Sequence, residues 1–111
     1  MTDTNTVTLI GRLVRDAEVK HTKDDKVMCC FFIALNRDRK DGETKITETH
    51  FFDVVFFGQR VEAIVSYLKK GEQVCIKGHL RQERWEKDGK NLSRVIIATE
   101  SLQLLGRKAN K

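Results

Sequence analysis

The chain has 111 residues, of which 40% are hydrophobic and 33% are charged, the balance of one ordinary globular domain. Its formal charge of +5 favours a polyanionic partner, such as nucleic acid or an acidic membrane surface. The N-terminal residues lack the apolar core of a signal peptide, and no apolar run approaches the length of a membrane span. We therefore expect a cytoplasmic protein without a membrane-spanning segment.

The residue types that usually carry catalysis are scattered along the sequence. The three cysteines, Cys29, Cys30 and Cys75, have no repeated spacing, and the three histidines fall in three separate predicted elements. No phosphate-binding glycine loop, nucleophile motif or pair of carboxylates stands out. We therefore expect reduced thiols that pack as small hydrophobic side chains, no metal site, no cofactor and no enzymatic activity.

Apolar residues alternate at period two through the first half of the chain. This period predicts strands over residues 7–13, about 26–37 and 50–57. Gly11 marks a bulge or a sharp coil in the first strand. The charged segment 37–48 contains the turn signal Asp41-Gly42, and we interpret this segment as a long hairpin loop.

The period changes in the second half of the chain. Apolar residues at i, i+3, i+4 and i+7 predict a helix that ends at Gly71. The apolar stripe of this helix consists of Val61, Ile64, Val65 and Leu68. Period two then returns over residues 72–85, with a bend at Gly78 and Leu80 inside, and over residues 92–105 after a turn.

Three strands, one helix and two strands follow the element order of an OB-fold. We therefore predict an all-β fold with one helix, namely a five-stranded Greek-key barrel with an α-helix between strands 3 and 4. This OB-fold domain is expected to cover residues 1–106. Residues 107–111 form a short basic tail that is expected to be disordered.

Unpaired nucleic acid exposes a charged backbone and flat bases, so a protein that binds it without sequence preference needs cations beside aromatic rings. Phe51 and Phe57 share a strand face that the inward-pointing Phe52 and Phe56 do not occupy. These rings are equally compatible with core packing on both faces or with a subunit interface. The single tryptophan, Trp85, gives a clearer signal because cations flank it. The flanking cations are Arg81, Arg84 and Lys87.

The predicted loop over residues 37–48 carries a second group of cations. They are Arg37, Arg39, Lys40 and Lys45. We expect this loop to close over a bound strand as a clamp. It also holds four acidic residues that cancel its charge, so a merely solvated loop is the alternative interpretation.

Five stretches of the sequence form a combined pattern. They are residues 7–18 (VTLIGRLVRDAE), 31–37 (FFIALNR), 56–58 (FFG), 67–71 (YLKKG) and 74–81 (VCIKGHLR), the last followed by Trp85. Together they resemble the strands and helix of bacterial single-stranded DNA-binding proteins. The resemblance extends over roughly residues 5–106, and its specificity lies in the combination rather than in any one stretch.

The resemblance implies a homotetramer, or a dimer, of OB-folds that binds single-stranded DNA without sequence preference in replication, repair and recombination. It implies a location in the bacterial cytosol or nucleoid. The residues it assigns to base stacking are Phe51, Phe57 and Trp85. The residues it assigns to the DNA backbone are Lys70, Arg81 and Arg84.

The sequence departs from the family pattern at three places. Asp53 lies where some relatives carry a basic residue, and Arg39 or Lys40 lies where relatives often have a stacking aromatic. The family usually ends in a flexible linker and an acidic tip that recruits other proteins, whereas this chain ends in the basic segment 107–111. The chain is therefore either a truncated form or a naturally tailless member, and the sequence leaves both alternatives open. Replication and repair proteins stay among the expected partners.

Two other functions stay open at this stage. A primosomal OB-fold protein would act mainly as an adaptor between proteins, although the resemblance implies that such relatives tend to lack the helix. A small enzyme or an RNA chaperone of OB type would show turnover or a preference for RNA.

Overall fold

The computed structural model of the protein describes residues 2–22, 24–58 and 60–105. Within these residues the strands and the α-helix are β1 Val7–Leu13, β2 Glu18–His21, β3 Val27–Asp41, β4 Thr44–Phe57, α1 Val61–Ile64, β5 Gln73–Lys87 and β6 Lys90–Leu104. The predicted tail 107–111 lies outside the described residues, so its disorder and the domain boundary at residue 106 stay predictions.

Five of the strands close into a barrel. Hydrogen bonding runs in the order β1-β5-β6-β4-β3, and β1 then pairs with β3 at Arg12↔Ala34 and Leu13↔Ile33. These neighbours are antiparallel except β4 and β6, which are parallel where residues 54–56 pair with residues 97–99. This is the Greek-key order of an OB-fold, with α1 between the third and fourth barrel strands, and the predicted fold class is confirmed.

Strand β2 is absent from the predicted elements. It is four residues long and all four side chains are exposed, so no apolar alternation marks it in the sequence. It pairs with the start of β3, from Glu18↔Cys30 to His21↔Val27, and widens the sheet beyond the barrel.

The barrel interior is filled by the inward side chains of the alternating strands. The buried strand residues of this core are Leu13, Cys29, Phe31, Ile33, Val54, Phe56, Val74, Ile76 and Ile97. Val61 of α1 and Leu68 cover one end of the barrel and have no exposed surface. Burying each such aliphatic side chain contributes about 1.5–3 kcal/mol.

The helix is shorter than its apolar stripe predicts. α1 ends at Ile64, and a 3₁₀ turn follows over Val65–Tyr67. Leu68 leaves the helical region with φ −92° and ψ 75°, and its carbonyl accepts a hydrogen bond from the Ala17 amide at 2.9 Å. The four predicted apolar residues nevertheless all pack on the barrel core.

The long loop predicted over residues 37–48 is wrong. β3 continues to Asp41 and β4 begins at Thr44, so only a two-residue turn separates the strands. Gly42 occupies this turn with φ +68°, and the turn signal is therefore confirmed although the loop is not. We call the extended ladder of residues 36–49 the hairpin arm.

Polar pairs across the two strands hold the hairpin arm. The Arg39 Nε donates to the Glu48 carboxylate at 2.9 Å. The Thr47 hydroxyl donates to the Asp38 carboxylate at 2.7 Å, and Lys45 lies 3.5 Å from the same carboxylate. In the sequence these opposite charges have the composition of a solvated loop, but in the fold they are partners across two strands. Such partners are set by the register of the strands and not by local composition.

Two residues predicted to point into the core are exposed. Phe52 is 38% exposed because β4 pairs with β6 only from Val54 onward. Leu80 is 45% exposed and lies beyond Gly78, the last residue of β5 that pairs with β1. Their alternation is correct, but the strands continue past the end of the barrel.

Gly78 allows β5 and β6 to approach closely where the sheet bends. The register shifts between Lys77 and Gly78, so Glu100 is an extra residue in β6, and the bend predicted here is confirmed. A Cβ on Gly78 would overlap the carbonyl oxygen of Ala98. Backbone atoms cannot be moved aside as a flexible side chain can.

We expect Gly78→Ala to lower the free energy of unfolding by about 1–3 kcal/mol or more through this overlap. Gly11→Ala serves as a graded comparison, because its methyl group would lie 2.8 Å from the Ala34 carbonyl oxygen, a less severe contact. Urea denaturation followed by circular dichroism measures both. A Gly78→Ala midpoint equal to that of the wild type would contradict the close approach.

Candidate functional site

The predicted aromatic residues lie on one outer face of the barrel. Phe57 follows Phe51 by six positions on β4, and an even offset places both side chains on the same side of the strand. The Arg81 guanidinium of β5 lies over the Phe57 ring, 5.6 Å from its centroid, which places Arg81 on this side too. Trp85 follows Arg81 by four residues and lies on the same face of β5. We call this the outer face.

The rings on the outer face are open to solvent. Phe51 is 63% exposed and Trp85 is 43% exposed, while Phe57 is half-buried beneath Arg81. The floor between these rings is apolar. It consists of Val55, Ile96 and Ala98, which are buried although they do not belong to the barrel core. Flat rings on a rigid apolar floor form a surface on which planar groups can stack.

The predicted cations divide between two sides of the sheet. Arg81 and Lys87 lie at even offsets from Trp85 on β5, so they share its face. On the hairpin arm Lys40 pairs with Lys45, and both lie on the same face as Phe51. Three other cations alternate to the opposite side, and they are Arg37, Arg39 and Arg84. Arg84 there donates to the Gln82 side chain at 2.7 Å. The alternation of side chains along a strand predicts which cations share a side of the sheet only once the pairing of the strands is known.

Lys70 lies apart from the stacking residues, in the turn after the 3₁₀ segment. Its backbone N–H donates to Asp16 at 2.9 Å, which fixes the turn and leaves the ammonium group exposed. It lines a depression of about 420 Å³ together with Ala34 and Asn36 of β3. Ala34 pairs with Phe51, so this depression adjoins the outer face.

Arg94 of β6 is a central residue of the outer face that the sequence does not reveal. Its Nη1 lies 2.9 Å from the Asp53 carboxylate on β4, and its Nε lies 3.0 Å from the Glu83 carboxylate on β5. The two carboxylates flank β6, so Arg94 joins three strands. We call this the Arg94 bridge. Glu83 and Arg94 are register partners in the β5–β6 hairpin, whereas Asp53 meets Arg94 only through the parallel pairing of β4 with β6, for which no local pattern exists.

The charges of the Arg94 bridge perturb one another and are partly shielded from water. Burial raises the pKa of Asp53, and the attraction of Arg94, which lowers it, is the weaker effect. Burial opposes the charge on Arg94, but hydrogen bonding to Glu83 and attraction to Asp53 prevail and raise its pKa. Arg94 is therefore a cation whose charge is already matched by two anions.

Phe32 of β3 extends the outer face toward β2, and it is not among the binding residues predicted from the sequence. It is 39% exposed, pairs with Asp53, and has the Arg15 guanidinium 6.0 Å from its ring centroid. Apolar residues on both faces of β3 are the signal that could have found it. Arg15 and Lys20 thus lie at the β2 end of the outer face, where Phe32 and Asp53 line a depression of about 130 Å³.

Two of the three thiols, those of Cys29 and Cys30, are held in the protonated form. Burial raises the pKa of Cys29 to about 11, and it also raises the pKa of Cys30, so both are protonated near neutral pH. Among the described residues, no group of three His, Cys, Asp or Glu side chains is arranged to hold a metal ion. No helix in the described ranges has the length and apolar character to cross a membrane.

Comparison with known proteins gives one consistent family. The model of the Single-strand binding protein family matches residues 4–105. The single-stranded DNA-binding protein of Treponema pallidum is 48% identical over 106 residues, which cover 96% of this chain and 60% of that protein. The corresponding protein of Borreliella burgdorferi is 38% identical over 99% of this chain and 75% of its own length. The chain thus spans less than two thirds of the Treponema relative.

Two solved structures resemble the barrel closely. A Plasmodium falciparum SSB in complex with ssDNA superposes with a TM-score of 0.82 at 22% identity, and covers 95% of this chain and 97% of that one. At this identity the similarity establishes the fold alone. A deletion mutant of the single-stranded DNA binding protein from Thermus aquaticus gives a TM-score of 0.81 at 26% identity, over 94% of this chain and 52% of that one.

The raised pKa of Asp53 predicts how stability depends on its charge. A carboxyl group whose pKa is higher in the folded state than in the unfolded chain makes ionisation unfavourable to folding. This penalty is present above the folded pKa and vanishes as the pH falls below the unfolded value of about 3.9. We expect Asp53→Asn at pH 7 to be as stable as the wild type or more stable by up to about 1 kcal/mol.

Urea denaturation at pH 7 and pH 3 measures this effect, and the difference between variant and wild type is expected to shrink at pH 3. Asp24→Asn, in the exposed turn between β2 and β3, is the matched control. A loss of more than about 2 kcal/mol at pH 7 would show that the ion pair to Arg94 outweighs burial.

Proposed function

Because the chain belongs to the single-strand binding protein family, we propose that it binds single-stranded DNA without sequence preference. The observation that carries the proposal is the outer face, where the exposed rings of Phe51 and Trp85 lie on one side of the sheet formed by the β3–β4 and β5–β6 hairpins. Every base has a flat face, so stacking on these rings does not depend on sequence.

Binding on this face would use the rings and the cations together. Bases stack on Phe51 and Trp85 and on Phe57 once Arg81 moves aside or stacks outside the base. Lys87 and Lys40 then neutralise phosphates along the same side of the sheet. The barrel contributes rigidity, so little conformational entropy is lost from the protein on binding.

Wider parts of the proposal rest on the relatives. We infer that the protein acts in DNA replication, repair and recombination in the bacterial cytosol or nucleoid, performs no catalysis, and assembles as a homotetramer or a dimer. Ile10 of β1 is 52% exposed and is an apolar side chain that such assembly would cover. Relatives that act as primosomal adaptors are a less suitable comparison, because α1 is present here.

Phe51→Ala is expected to weaken binding to an oligo-dT strand by about 5- to 150-fold, since one stacking contact contributes about 1–3 kcal/mol. Phe52→Ala is the matched control, because Phe52 is the adjacent ring on the opposite face of β4 and should change the affinity little. Titration followed by fluorescence measures both, since Trp85 is the single tryptophan and is quenched when a base stacks on it.

The outcome that would contradict the proposal is absence of binding and of Trp85 quenching at low salt. A strong preference for oligo-U RNA over oligo-dT would instead favour an RNA chaperone. Equal losses in Phe51→Ala and Phe52→Ala would indicate that the outer face is not the binding surface.

The division of the cations predicts different salt dependences for two neighbours on β5. Lys87→Gln removes a cation beside Trp85, so we expect weaker binding and a log–log salt slope shallower by about 0.7. Arg84→Gln removes a cation that alternates to the opposite side but reaches the depression beside Trp85, and we expect a smaller slope change than in Lys87→Gln. Titrations at several salt concentrations test this, and a larger slope change in Arg84→Gln than in Lys87→Gln would reverse the assignment.

A further inference from the structure

The Arg94 bridge lies in the middle of the outer face and separates two depressions. On one side, at the edge of β5, a depression of about 500 Å³ is lined by Trp85, Arg81 and Arg94 of the outer face together with Gln82 and Arg84. On the other side the depression of about 130 Å³ is lined by Phe32, Asp53 and Arg94. Arg94 lines both, so a strand that runs across the face from β5 to β3 passes directly over the bridge.

The bridge makes the centre of this face electrically neutral in a chain of charge +5. One oxygen of Glu83 lies 3.0 Å from Arg94, and its other oxygen lies 3.6 Å from Nη2 of Arg81. With Asp53 on the far side of Arg94, two carboxylates match two guanidinium groups. Two of the cations best placed to meet phosphates are thus already paired within the protein.

The geometry keeps these pairs in place. The Asp53 side chain is only 14% exposed, and Glu83 is 29% exposed, so neither carboxylate can swing freely into solvent. The Arg94 Nε donates a charge-assisted hydrogen bond to Glu83 at 3.0 Å, and its Nη1 forms an ion pair with Asp53 at 2.9 Å. A phosphate that approached Arg94 would have to compete with both anions and would itself be repelled by them.

We propose that the Arg94 bridge limits the affinity for single-stranded DNA by excluding phosphates from the centre of the outer face, with Asp53 and Glu83 as the limiting residues. This inference rests on the proposed function. The bases lie over the bridge, while the backbone passes along the rim where Lys87 and Lys40 lie. Weaker binding per nucleotide favours rapid redistribution of the protein along the strand.

The test is the double variant Asp53→Asn with Glu83→Gln, which keeps the side-chain shapes and removes both negative charges. Each removal is expected to tighten binding to oligo-dT roughly threefold, because two unit charges about 7 Å apart in water interact by about one RT. The combined gain is about tenfold. Arg94 is then free to meet a phosphate, so the log–log salt slope should steepen by about 0.7.

Two further variants make the test specific. Adding Arg94→Gln to the double variant removes the freed cation, so the log–log salt slope should return to that of the wild type. The tighter binding that comes from removing the two carboxylate charges should remain. Asp24→Asn changes the chain charge by the same amount as one bridge substitution but lies in the β2–β3 turn, and it should leave the affinity within about twofold of the wild type. If the double variant does not fold, Glu83→Gln alone keeps the pair between Asp53 and Arg94 and should still bind about threefold more tightly.

The outcomes separate this inference from the proposed function. If the wild type quenches Trp85 on binding DNA but neither variant binds more tightly, the bridge does not limit affinity and the inference is wrong, while the proposed function stands. If Asp24→Asn tightens binding as much as Glu83→Gln, the effect is one of net charge and the inference is likewise overturned. If the wild type does not bind DNA at all, both fail together.

Discussion

The parallel pairing of β4 with β6 is the contact on which the rest of the molecule depends. Only residues 54–56 and 97–99 take part, yet they join the β3–β4 hairpin to the β5–β6 hairpin. On the inner side this pairing brings Val54 and Ile97 into the core, where both are almost fully buried. On the outer side it brings Phe51 and Phe57 of β4 onto the same face as Trp85 of β5, with β6 between the two strands. The same short ladder therefore closes the barrel and assembles the candidate site.

The outer face carries groups that can bind a nucleic acid and, at its centre, charges that are already paired within the protein. Exposed rings on an apolar floor offer stacking contacts, and the flanking lysines offer charge. At its centre, however, Asp53 and Glu83 hold Arg94, so the cations in the middle of the face are matched before any ligand arrives. The rings lie at positions where the resemblance to the family leads us to expect stacking, whereas the bridge depends on the identities of three side chains in this chain. In the proposed binding mode, the same rings are therefore compatible with a different attraction for a phosphate backbone.

The hairpin arm illustrates why composition alone misjudges an ordered segment. Its alternating charges have the composition of a solvated loop, but Arg39 and Glu48, like Asp38 and Thr47, meet across the strands. A rigid arm presents Lys40 on one side and Arg37 on the other. In the proposed binding mode only the cations on one side of the arm can face the DNA, whereas a flexible clamp could turn any of its cations toward it.

Features that depend on near neighbours along the chain could be predicted from the amino-acid sequence. Alternation at period two locates five strands, the i, i+3, i+4 spacing locates the helix, and Gly78 marks the bend, because each is set by local backbone geometry. The same alternation places Phe51 and Phe57 on one face and separates them from Phe56. Trp85 stands out because cations surround it.

Features that depend on register, or on strands far apart in the chain, could be seen only in the folded protein. It extended β3 and β4 into the hairpin arm, added β2, and exposed Phe52 and Leu80 beyond the end of the barrel. It also divided the cations between two sides and brought Arg94 between Asp53 and Glu83. A shift of one residue in any of these pairings would turn each side chain to the opposite face, and no local pattern fixes a pairing between residues 41 positions apart such as Asp53 and Arg94.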